Sequence, residues 1–137
     1  MAECVFCGIV AATVPAFTVV ATPDGVGFLD ARPVFKGHVL IIPRIHVVML
    51  PDLPPADLPG YFGLVQRVAA AVPDALGAQG TFVANNNVVS QSVAHLHFHV
   101  VPRTKGDGLR GFFWPRTKYA DDEEAAGYAA SIAAKLG

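Results

Sequence analysis

Three of the five histidines stand at alternate positions, His95, His97 and His99, followed in turn by Leu96, Phe98 and Val100. Imidazole serves near neutral pH as nucleophile, general acid or base, or metal ligand. The period of two predicts a strand on which the three rings share one face, roughly 6.6 Å apart, while Leu96, Phe98 and Val100 turn to the core. A lone histidine in such a run is ordinarily a satisfied structural residue, and three in register argue against that. Two chemistries fit the spacing. Clustered imidazoles disfavour simultaneous protonation, which keeps a lone pair on one of them for nucleophilic attack; equally, two or three of the rings could bind a metal ion. Spacing alone leaves both open. Cys4 and Cys7 are the only cysteines. They are too few and too close for a disulfide framework, so C-x-x-C suggests metal or redox chemistry. G-x-x-x-x-G-K-[ST] does not occur, so any phosphate must be handled without that glycine-rich cradle.

The elements that must hold these residues read as α+β. Strands are expected at 26–30, 37–42, 81–84 and 93–101, bounded by Pro23-Asp24-Gly25, Pro33 and Pro43, with a polar connection over 85–92. Leu58, Phe62, Val65, Ala69 and Val72 step by helical spacing, and Pro73 is expected to stop that helix. Residues 105–118 are rich in glycine and aromatics, including Phe112, Phe113 and Trp114, and read as a long irregular segment. Asp121 with Glu124 three residues on predicts an N-cap for a final helix over 121–136, striped by Tyr128, Ile132 and Leu136. The expectation is a mostly antiparallel sheet with about two helices.

The 137 residues suit a single domain, with a core at 4–103. With 53% hydrophobic and 15% charged residues the chain has enough apolar surface to fold. A net charge of −1 argues against nucleic acid or an anionic membrane as partner. No apolar run reaches spanning length and Met-Ala-Glu-Cys does not read as a signal peptide, so a cytoplasmic location is expected.

The segment from Gln91-Ser92 through His95-Leu96-His97-Phe98-His99-Val100-Val101-Pro102-Arg103 resembles the H-x-H-x-H motif of the histidine-triad (HIT) family of nucleotide hydrolases and transferases. The resemblance runs back through Lys36-Gly37-His38-Val39-Leu40-Ile41-Ile42-Pro43-Arg44-Ile45-His46 and Phe28-Leu29-Asp30 to Cys4-Val5-Phe6-Cys7, covering most of residues 4–103. It implies the HIT-like fold and a role for His97 as nucleophile at the α-phosphorus of a purine nucleotide conjugate. The tautomer of His97 would be fixed by a backbone carbonyl. His99, His95, Gln91 and Ser92 would serve the phosphate and leaving group. Asp30 would meet the ribose hydroxyls, His38 would pack beside the nucleophile, Asn85 or Asn86 would contact the nucleotide, and Phe6, Ile9 and Phe28 would line the base pocket or simply fill the core. The resemblance further points to a structural zinc on Cys4, Cys7, His46 and His95, and to a homodimer. The sequence departs from the family pattern at Ser90, where glycine is usual, and at Asn85-Asn86-Asn87-Val88-Val89.

The substrate implied is a small nucleotide conjugate, with AMP or GMP as the nucleotide and a phosphoramidate as the favoured type. Dinucleoside polyphosphate hydrolysis is the alternative, along with a nucleotide-binding module without turnover or a metal-binding protein using the triad as ligands.

Overall fold

The computed structural model describes residues 4–109 and 116–136, which fall into two compact units, Met1–Asp107 and Gly108–Gly137. In the first, α1 (Val5–Val10) leads into a five-stranded antiparallel sheet of β1 (Thr18–Thr22), β2 (Gly25–Leu29), β3 (Val39–Ile42), β4 (Gly80–Ala84) and β5 (Phe98–Arg103), ordered β1-β2-β3-β5-β4. α2 (Leu58–Leu76) crosses from β3 to β4. The α+β expectation holds, with three α-helices among the described residues rather than about two, since α1 and β1 carry no long period from which to read them.

All four residues of β3 are buried, because both faces of the sheet are covered there. Val39 and Ile41 pack with Tyr61, Leu64, Val65, Val68 and Val72 of α2 and with Leu96 and Val100. Leu40 and Ile42 face the other way, among Phe6, Val26 and Phe28, with Ile9 against them. Each such side chain contributes about 1.5–3 kcal/mol by leaving water. Tyr61 is buried among them and donates its hydroxyl to the Ile41 carbonyl at 2.7 Å. Burial holds its phenol protonated far above the ordinary range.

α2 departs from expectation at Pro73, which lies inside the helix and does not end it. A proline interior to a helix costs one donor but leaves the following residues free to continue. The stop is Gly77, whose φ of +68° is the left-handed cap that glycine adopts without a Cβ penalty. The Pro73 carbonyl is satisfied by the amide of Ala78 at 3.2 Å.

The triad is only partly on a strand. β5 begins at Phe98, so His99 alone of the three histidines belongs to it. Upstream the chain bends: the His95 amide closes on the Val93 carbonyl at 2.8 Å and the Leu96 amide reaches the Val47 carbonyl at 2.7 Å, in place of a ladder. The strand is shorter than expected but the alternation survives the bend: Leu96, Phe98 and Val100 pack together on the α2 side, while His95 and His97 both meet Phe6 and His97 stands beside His99.

In the second unit α3 (Asp122–Leu136) starts at the expected cap. Asp121 Oδ1 accepts from the Glu124 amide and Glu124 Oε1 from the Ala120 amide, both at 2.9 Å. Tyr128, Ile132 and Leu136 form its stripe and are all exposed. Phe112, Phe113 and Trp114 lie outside the described residues.

Candidate active site

His95 and His97 each meet a backbone carbonyl that determines which ring nitrogen carries the proton. A carbonyl can only accept, so the 2.8 Å contact from His97 Nδ1 to the His95 carbonyl places the His97 proton on Nδ1 and leaves a lone pair on Nε2. By the same logic His95 Nε2 donates to the Pro43 carbonyl at 3.0 Å, which leaves its Nδ1 unprotonated. That Nδ1 faces Cys4 Sγ at 3.5 Å and Cys7 Sγ at 3.6 Å, and Cys7 Sγ lies 3.2 Å from His46 Nδ1. Phe6 stands edge-on to both rings, 5.2 Å from His97 and 6.0 Å from His95 between centroids.

His38, His95 and His97 are each no more than 2% exposed. Burial depresses the pKa of His38 and of His95 despite opposing partners, Asp30 for the first and the Pro43 carbonyl for the second. His99 is pushed down to about 4 by burial and by the neighbouring His97 and His38. At His99 desolvation comes first and the repulsion of the neighbouring rings second. His99 Nδ1 lies 2.9 Å from His38 Nε2, and the ring centroids of His97 and His99 are 5.1 Å apart.

Cys4, Cys7, His46 and His95 bring four ligand atoms within 4.8 Å of one another. Two thiolates with two imidazoles are the donor set of a closed tetrahedral zinc site. The staple would join the first turn of α1, where Cys4 also caps the Cys7 amide, to the bend that carries His95. Burial and the neighbouring Cys4 raise the pKa of the Cys7 thiol when no cation is present; a bound cation would reverse that balance. Asp30, His38 and His99 form a second group of donors at this spacing, and His97 belongs to neither among the described residues.

The connection over 85–92 folds back on itself. Asn85 Nδ2 donates to the His97 carbonyl at 3.2 Å, and Asn86 Nδ2 to the Ser90 carbonyl at 3.4 Å. Gln91 accepts from the Val88 amide at 3.0 Å and donates to the Val48 carbonyl. Asn87 accepts from the Leu50 amide at 2.9 Å, and Ser92 is exposed. Ser90 has φ +62° and Val88 φ +69°, the conformation that glycine enters freely. Asp30 accepts from the Arg32 amide at 2.9 Å and approaches His38 Nδ1 at 3.7 Å. Phe6 and Phe28 meet edge to face at 5.4 Å with Ile9 beside them.

Several groups that orient the site carry no sequence signal because they are main-chain atoms: the carbonyls of Pro43, His95 and Val48 and the amide of Val34, which donates to His38 Nδ1 at 3.1 Å. Any residue supplies the carbonyls and any but proline the amide, so only the path of the chain reveals them.

A family model for the HIT domain matches residues 11–106. The adenosine 5'-monophosphoramidase of Saccharomyces cerevisiae is 34% identical over 116 residues, covering 83% of this chain and 71% of that protein. A crystal structure of a HIT family member from Bacillus subtilis has a TM-score of 0.87 at 34% identity, covering 99% of both chains. A zinc-bound histidine triad family protein from Mycobacterium smegmatis gives a TM-score of 0.74 at 38% identity, covering 98% of this chain and 95% of that one. On shared sequence and fold alike, the chain is a member of the histidine-triad (HIT) family.

Proposed function

We propose that the protein hydrolyses nucleotide conjugates at the α-phosphorus, with nucleoside phosphoramidates as the substrate class, through a covalent intermediate on His97. The observation that carries this reading is the unprotonated Nε2 of His97, left by the hydrogen bond of its Nδ1 to the His95 carbonyl and lying outside both groups of metal donors. In the first step the Nε2 lone pair forms a bond to phosphorus as the bond to the leaving amine breaks, and the amine takes up a proton as it departs. In the second, water attacks phosphorus and gives up a proton, the P–N bond to His97 breaks, and the nucleoside monophosphate leaves. The adenosine 5'-monophosphoramidase relative supports the substrate class.

Asn85 holds the carbonyl of His97 and Phe6 closes over its ring, so both serve by keeping Nε2 in place. Zinc is the cation the Cys4, Cys7, His46 and His95 set would hold, as the zinc-bound relative suggests, and it would supply only a structural link.

Incubating the protein with adenosine phosphoramidate and, separately, with diadenosine polyphosphates tests the reading. Wild type should release AMP and yield a nucleotidyl adduct on His97 by mass spectrometry, whereas His97→Asn should bind AMP but show neither. Turnover retained in His97→Asn would overturn the mechanism. Binding of AMP by wild type without turnover or adduct would make the protein a binding module.

A further inference from the structure

His38 lies outside the triad, but its ring is held at both nitrogens, one of them by a triad histidine. Nδ1 receives the main-chain amide of Val34 at 3.1 Å, and Nε2 lies 2.9 Å from His99 Nδ1. An amide N–H can only donate, so His38 Nδ1 must offer its lone pair and the proton of the neutral ring sits on Nε2. That proton points at His99 Nδ1, which must then accept, leaving the His99 proton on its own Nε2. Among the described residues, Asp30 is the group that would favour the reverse arrangement, and its Oδ2 stands 3.7 Å from His38 Nδ1, beyond hydrogen-bond reach.

We infer that the Val34 amide, acting through His38, fixes the proton of His99 on Nε2, so that adjacent rings of the triad present opposite polarity, an acceptor at His97 Nε2 and a donor at His99 Nε2. This rests on the hydrolase reading for its purpose. A nucleophile has to be a lone pair, while the charge developing on phosphoryl or leaving-group oxygen or nitrogen needs a donor beside it. Two neutral imidazoles with unconstrained tautomers would provide that pairing only part of the time. Val34 lies in the turn between β2 and β3, so the constraint comes from backbone geometry. His38 is thus a positioning residue: it touches His99, and His99 would touch substrate. Burial depresses the pKa of His38 and takes that of His99 down to about 4, which keeps both rings neutral and the relay intact at neutral pH.

The test is side-chain nitrogen NMR of the 15N-labelled full chain near pH 7 without substrate, which distinguishes Nδ1–H from Nε2–H for each ring. Wild type should show His38 and His99 as single Nε2–H tautomers and His97 as Nδ1–H. His38→Gln, whose amide nitrogen can still donate to His99 Nδ1, should keep the His99 signature and most of kcat. His38→Phe should leave His99 a mixture of tautomers and lower kcat on adenosine phosphoramidate by about 10²-fold with little change in KM. Val34→Pro removes the amide without altering a histidine, and should release the His99 tautomer as His38→Phe does. A wild-type His99 protonated on Nδ1 would overturn the inference, as would a His99 signature unchanged in both His38→Phe and Val34→Pro. Absence of turnover in wild type with the predicted tautomers present would instead defeat the hydrolase reading alone.

Discussion

Protonating the histidine cluster should destabilise the fold over a defined pH range, and replacing His99 should isolate that effect. His99 titrates ordinarily near 6.5 and in the folded chain at about 4. Between those values the unfolded chain binds the proton and the folded one does not, so stability rises with pH, is complete above about 6.5 and drains away as pH falls towards 4. A gap of 2.5 units (6.5 less 4) at about 1.4 kcal/mol each gives an upper limit of about 3.5 kcal/mol. His99 is only partly buried, and solvent screening reduces the expected value to about 1–2 kcal/mol. Urea unfolding of wild type and His99→Gln between about pH 7.5 and 4.5, at equal metal content, reads this directly. Wild type should lose about 1–2 kcal/mol more than the variant over that range, since carboxylates, His95 and any metal ligands contribute equally to both. Parallel loss in the two proteins would refute the reasoning, because the depressed pKa of His99 would then carry no folding free energy.

Replacing Cys7 by Ser should reduce bound zinc from one per chain towards none, measured by atomic absorption, and lower the thermal midpoint; wild type purifying without metal would leave the pair as plain thiols. Asn85→Ala removes the donor to the His97 carbonyl and should slow turnover by about tenfold while AMP binds as before. Weaker AMP binding with intact kcat would return Asn85 to a direct nucleotide contact. A Cβ at Gly25 would come within 2.4 Å of the Ile42 carbonyl, a backbone atom that cannot rotate away, so Gly25→Ala should cost about 1–3 kcal/mol in urea unfolding. An unchanged midpoint would show that β2 can yield there.

Sequence periodicity foretold the strands at the centre of the sheet because β2 and β3 lie between turn residues, and it foretold the α2 face because its apolar positions repeat at helical spacing. It failed at Pro73, where local propensity says stop but the helix has a glycine cap four residues later to run to. It failed again over 93–97, where alternation looks like a strand but hydrogen bonds to Val93 and Val47 bend the chain. The motif nevertheless identified the family, since histidine, cysteine and glutamine at these spacings are a specific combination.

What the order of residues alone determined was the set of reactive groups and the family, because side-chain identity is written in the chain and a motif of this length rarely arises otherwise. Which nitrogen of His38, His95, His97 and His99 holds its proton was decided only by the fold. Those assignments depend on the carbonyls of Pro43 and His95 and the amide of Val34, atoms identical in every non-proline or carbonyl-bearing residue, placed against imidazoles up to 52 residues away by sheet pairing and the turn between β2 and β3. A lone pair is directional, so its usefulness is a property of three-dimensional placement that no spacing in one dimension can encode.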